Sequence, residues 1–116
     1  MGGVTLGGDP EEPGLVPVAA IAAVLKALTL TPSQLTMAEV MEAYAVQAMA
    51  CVTGANLPLG IVDPGGGALA RGHPIGASGA ILAVRLFHGM KAGLGLAAIA
   101  AAGGLGTAMV VERAKI

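Results

Sequence analysis

The stretch Gly93–Val111 contains no charged residue, and Gly103-Gly104 and Gly106 break it near its middle. At about 1.5 Å per residue, one continuous helix over this stretch would be long enough to cross a bilayer. Ala and Gly dominate it, however, and the glycines would interrupt a helix at its centre. Two strands, Leu96–Ala102 and Gly106–Arg113, joined by a glycine turn, account for the pattern better. The chain is therefore read as sheet-forming at this end, with no membrane span.

The rest of the composition says what covers that sheet. Hydrophobic residues make up 55 % of the chain and charged residues 11 %, against about 45–50 % and about 25 % in soluble domains. That leaves too little polar surface for a free monomer. Much of the excess is Ala, there are 19 Gly, and Tyr44 and Phe87 are the only aromatics, so the chain reads as closely packed, buried helices. With 116 residues it forms one domain whose buried fraction is modest, and a protein partner is expected. A net charge of −1 excludes nucleic acid and an anionic membrane surface as main partners.

Cys51 is the single cysteine, which excludes an intrachain disulfide and a cysteine zinc cluster. Met1–Pro13 is Gly-rich and acidic, and the first basic residue is Lys26, so no targeting signal is read there and the cytoplasm is the expected compartment. No metal site is expected either, because His73 and His88 have no matched carboxylates.

Along the chain, Met1–Pro13 reads as a strand followed by a loop. From Leu15 to about Leu30, apolar residues at helical spacing predict a buried helix with Pro17 in its first turn. Thr31-Pro32-Ser33-Gln34 predicts a capped helical turn, Met37–Met41 a strand and Glu42–Cys51 a helix. Ala55–Gly67 is a Pro- and Gly-rich loop leading to a short strand near Gly67–Ala70. A second apolar helix, from about Ala77 to Lys91, follows, with Ile81, Val84, Leu86 and Phe87 covering most of its faces. The order describes an α/β fold, a mixed sheet with buried helices on its faces.

The run Gly66-Gly67-Ala68-Leu69-Ala70-Arg71-Gly72-His73-Pro74-Ile75-Gly76-Ala77-Ser78-Gly79-Ala80 resembles the thiolase signature of a Gly-Gly strand, a Gly-His-Pro turn and a Gly-Ala-Ser-Gly helix start. Two further blocks fall in the same order. Glu39-Val40-Met41-Glu42-Ala43-Tyr44-Ala45 resembles the family's Asn-Glu-Ala-Phe block, and Gly103-Gly104-Leu105-Gly106-Thr107-Ala108-Met109 its last glycine turn. Gly8-Asp9-Pro10 through Gly14-Leu15-Val16-Pro17-Val18 resembles the approach to the first helix of the carboxy-terminal half. The resemblance spans essentially residues 1–116 as one thiolase-like carboxy-terminal domain. The larger amino-terminal part of a thiolase lies outside it.

The resemblance implies acyl transfer on a coenzyme A thioester, within lipid metabolism, with no permanently bound cofactor. In thiolases a cysteine of the amino-terminal half attacks the acyl group, the His of the Gly-His-Pro turn activates it, and a second cysteine near the last glycine turn shuttles a proton. His73 matches the activating His. Coenzyme A-binding residues cannot be assigned, because the family binds it mostly through the amino-terminal half.

Several positions depart from the family pattern. Ala100 stands where the second cysteine belongs, Ala102 replaces a glycine of the oxyanion-binding turn, and Met41 replaces the water-orienting Asn. Ala43 occupies the place where some relatives carry their acid–base cysteine. Glu42 matches a family residue but is read as structural, Cys51 as a small buried hydrophobe, and His88 as a surface residue. Two functions follow. The chain is a half or subunit of an acyltransferase whose partner chain supplies the nucleophilic cysteine, or it is a catalytically inactive binding or structural subunit; a protein partner with a thiolase amino-terminal half, or a homo-oligomer, is expected. A truncated product without a stable fold is the third reading.

Overall fold

A computed structural model of the chain describes residues 1–115. Its centre is a mixed sheet of β1 (Gly2–Gly7), β2 (Leu35–Val40), β3 (Gly93–Ala101) and β4 (Leu105–Arg113), in the order β1-β4-β3-β2. β3 and β4 form an antiparallel hairpin, β1 pairs antiparallel with β4, and β2 runs parallel to β3. The uncharged stretch is thus the central hairpin. Gly103 and Gly104 turn it at φ +88° and +82°, the left-handed region that strains residues with a Cβ. Among the described residues, no helix is long and apolar enough to cross a membrane.

Helices lie on both faces. α1 (Val16–Ala27) and α2 (Ala45–Gly54) cover one, and α4 (Ser78–Gly89) lies on the other. Successive strand residues point to opposite faces, so Leu96 and Ala98 join the core of Ile21, Val24 and Cys51, while Ala97 joins Leu82 and Leu86. Close approach of α4 depends on Gly95, where a Cβ would collide with Met90 and Leu86.

The capped turn is present as a 3₁₀ helix, Pro32–Gln34, with Thr31 and Gln34 forming a capping box. Three expectations need correction. The short strand near Gly67–Ala70 is instead a one-turn helix, α3 (Ala68–Arg71). The reason is Glu42, whose Oε1 accepts the Leu69 N–H at 3.2 Å and satisfies a free donor of that turn. Gly67 leaves room for this carboxyl, which a Cβ at residue 67 would displace. The strand-like pairing expected there occurs earlier, as a single parallel bridge between Val62 and Ala38.

Second, α2 starts at Ala45 rather than Glu42. Met41 still donates its N–H to Ala98 O at 3.0 Å, prolonging the β2–β3 pairing, and Tyr44 remains extended at φ −143°. Third, α4 is buried on one side only. Leu86 is buried, but Val84 is 56 % and Phe87 65 % exposed. Beside α4, the same face of the sheet is open over β1 and β4. A groove of about 440 Å³ there is lined by residues that include Gly3, Thr5, Thr107 and Met109.

Candidate active site

One end of the sheet carries the site. β3 delivers Ala100 and Ala101 there, the turn after β3 adds Ala102, and the residues after β2 add Met41, Ala43 and Tyr44. His73, in the turn between α3 and α4, reaches the same pocket of about 190 Å³, as do Pro13, Gly14 and Gln47. The structure therefore brings together His73, Met41, Ala43, Ala100 and Ala102, which lie as much as 61 positions apart, from Met41 to Ala102.

The His73 ring is held by its neighbour in the next helix. Nδ1 lies 2.5 Å from Ser78 Oγ, and Ser78 Oγ donates to Pro74 O at 2.9 Å. A hydroxyl has one proton. Both contacts are satisfied together when that proton goes to the carbonyl and Oγ accepts from an Nδ1–H, which leaves the lone pair of the neutral ring on Nε2. Ser78 is itself buried, at 2 % exposure, so the ring is anchored to the interior although His73 is exposed. Gly72, at φ +98°, makes the reversal out of α3 that brings the ring round.

The remaining residues named from sequence lie elsewhere. Cys51 is completely buried and lies outside the pocket lining; its thiol donates to Gly14 O at 3.2 Å and accepts from Gln47 Nε2 at 3.4 Å. Burial pushes the thiol pKa up, against the smaller effect of Gln47, which disfavours the nucleophilic thiolate. Glu42 caps α3, and His88 is exposed and edge-on to Phe87, ring centroids 5.2 Å apart.

Sequence reasoning assigned no role to Ser78, Tyr44 or Gln47. Ser78 stands inside the quoted signature, five residues after His73, but only the chain reversal at Pro74 turns that separation into contact. Gln47 reaches Gly14 O at 2.9 Å, tying α2 to the segment before α1.

Residues 2–113 match the family model described as the thiolase C-terminal domain. The chain belongs to the thiolase family. It is 43 % identical over 110 residues to the acetyl-CoA acetyltransferase of Cupriavidus necator, covering 92 % of this chain and 28 % of that thiolase. Among solved structures it superposes on the Acat5 thiolase of Ascaris suum, determined in complex with coenzyme A, with TM-score 0.94 and 32 % identity over 97 % of this chain and 30 % of that one. The peroxisomal 3-ketoacyl-CoA thiolase of Saccharomyces cerevisiae gives TM-score 0.93 and 32 % identity, over 97 % and 34 %. The chain thus spans about a third or less of the length of the thiolases it matches.

Proposed function

We propose that this chain is the histidine-bearing half of a site that transfers acyl groups on coenzyme A thioesters, with another polypeptide segment supplying the nucleophilic cysteine. The observation that carries the reading is the His73–Ser78 hydrogen bond, which leaves Nε2 as the base beside the pocket. In the reaction, Nε2 takes the proton of the incoming thiol, and the thiolate attacks the thioester carbonyl. Coenzyme A then leaves with the proton, and the acyl group stays on sulfur. The matched relatives, about three times the length of this chain, carry names that specify acetyl-CoA or 3-ketoacyl-CoA chemistry.

The open face of the fold supports a missing partner. The yeast thiolase is described as a five-layered α-β-α-β-α structure built from two core domains of identical topology. Two complete three-layer domains would make six layers, so five require one helix layer to be shared. The exposed side of α4 and the uncovered groove over β1 and β4 suit such a shared layer here. The unpaired Cys51 suits a reducing compartment, with the cytoplasm our proposal.

A second reading has its own support. Ala43, Ala100, Ala102 and Met41 line the pocket with apolar groups, and beside His73 the proton-bearing side chains are the Tyr44 phenol and the engaged Gln47 amide. That favours an inactive structural subunit. Native mass spectrometry of the chain purified gently from its source tests the need for a partner. Acyl transfer by the assembled complex then separates the readings. Loss of activity by about 10²- to 10⁴-fold in His73→Ala, with assembly intact, supports the catalytic one. Unchanged activity, or a chain that exists only as a monomer or homo-oligomer, supports the structural one.

A further inference from the structure

Away from the pocket, on the α4 face of β2, Glu39 has no exposed surface. Among the described residues neither of its carboxyl oxygens receives a hydrogen bond; Arg85 Nε, also without a partner among them, stands 3.6 Å from Oε2. Beside it, Asp63 binds the edge of β2 twice. Its N–H donates to Ala38 O at 2.8 Å, and its Oδ1 accepts the Val40 N–H at 2.9 Å. Asp63 adopts φ +44° to do so. Its second oxygen, Oδ2, is buried without a donor among the described residues, and its two bonds, to Ala38 and Val40, set Asp63 beside Glu39, the residue between them.

Two carboxylates are both acceptors and cannot satisfy each other. One proton between them turns orphaned oxygens into an O–H···O bond and removes the repulsion of two like charges in a buried site. We propose that Glu39 and Asp63 share a proton, and that the shared proton is a pH-sensitive latch holding the segment of residues 61–67 on the free edge of β2. That segment leads into α3 and the His73 turn, so the latch sets the base of the loop that carries the imidazole. The proposal does not depend on whether the chain takes part in acyl transfer.

The surrounding charges fit a pair that holds one proton and one negative charge. Arg85 of α4 and Arg71 of α3 face Glu39 and favour its charge, while Glu42, after β2, faces Asp63 and opposes a second one. His88 of α4 lines the same cavity of about 360 Å³ as Glu39 and Arg85. Burial, together with Glu39 and against the Val40 hydrogen bond, raises Asp63 to about 7.

The test is amide exchange on the full chain, read by NMR at the Asp63 and Val40 N–H groups and corrected for intrinsic exchange, from about pH 5 to about pH 9. Up to about pH 7 the local opening equilibrium is expected to rise about tenfold per pH unit, because the closed state holds a proton that the opened state has released, and to level off above. Asp63→Asn, whose amide donates to Glu39 at every pH while its oxygen still accepts from Val40, flattens the profile; His88→Gln leaves the rise intact. The same rise in Asp63→Asn, or its loss in His88→Gln, overturns the proposal. Should Asp63→Asn fail to fold, Glu39→Gln gives the same reading. Titration of the Asp63 carboxyl carbon in the parent chain is decisive without any variant: a midpoint near about 4, the ordinary carboxylate value, refutes the latch.

Discussion

Nδ1 of His73 lies 2.5 Å from Oγ of Ser78, and the hydroxyl donates a hydrogen bond to Pro74 O. The relay fixes which ring nitrogen carries hydrogen, and it does so from a buried helix start rather than from the loop that bears the imidazole. In the neutral ring, nitrogen chemical shifts are expected to show one tautomer, protonated at Nδ1. Ser78→Ala removes the acceptor, so the ring is expected to populate both tautomers. The same variant should lose about 1 kcal/mol of stability, measured by urea unfolding. A ring protonated at Nε2 in the parent chain would contradict the relay.

The two thiol positions separate the pocket from the core. Ala100→Cys places a sulfur in the pocket wall, whereas Cys51 is fully buried with its pKa raised. Alkylation by iodoacetamide, followed by mass spectrometry, is expected to label residue 100 at least about tenfold faster than Cys51. Equal rates would place Cys51 within solvent reach.

On α4, adjacent residues should behave differently. Leu86→Ala empties a fully buried site and is expected to cost about 2–5 kcal/mol in urea unfolding. Phe87→Ala acts on a side chain that is 65 % exposed, edge-on to His88 and covered on its face by the Arg113 guanidinium, 5.6 Å from the ring centroid. It should cost the isolated chain under about 1 kcal/mol and show its main effect on association with a partner. Comparable losses for the two in the isolated chain would mean that the outer face of α4 is already covered.

Glu42→Ala removes the acceptor at the start of α3. A loss of about 0.5–2 kcal/mol is expected, the range for a helix amino-terminal cap, with local exchange at the Leu69 N–H rising in parallel. No change at Leu69 would reject the capping role.

The pH dependence of global stability follows from Asp63. Its folded-state pKa is raised from 3.8 to about 7, so between these values the folded chain holds a proton that the unfolded chain has released. Stability therefore falls as pH rises from about 4 to about 7 and levels off above. Glu39, raised mainly by burial, acts in the same direction. In Asp63→Asn the slope owed to Asp63 is absent, and a urea-unfolding series across this range measures it.

The central hairpin and the His73 turn were legible in the sequence because each depends on short-range chemistry. An uncharged run split by glycines has few alternatives to a strand pair, and glycines at positive φ mark turns wherever they fall. The apolar spacing of Val18, Ile21 and Leu25 likewise identifies α1 before any neighbour is known. Tertiary structure decided what local pattern could not. Gly67–Ala70 is too short for its residues to decide between strand and helix, and the Glu42 carboxyl, 27 positions before Leu69, satisfies an N–H of the helical turn that forms. Apolar residues occupy most faces of α4, but burial depends on which surfaces are present to cover them, and the sheet covers one side. Glu39 and Asp63 are ordinary acids in the sequence. Only the pairing of residues 61–67 with β2 brings them together in a dry site, where two carboxyl groups must settle one proton between them.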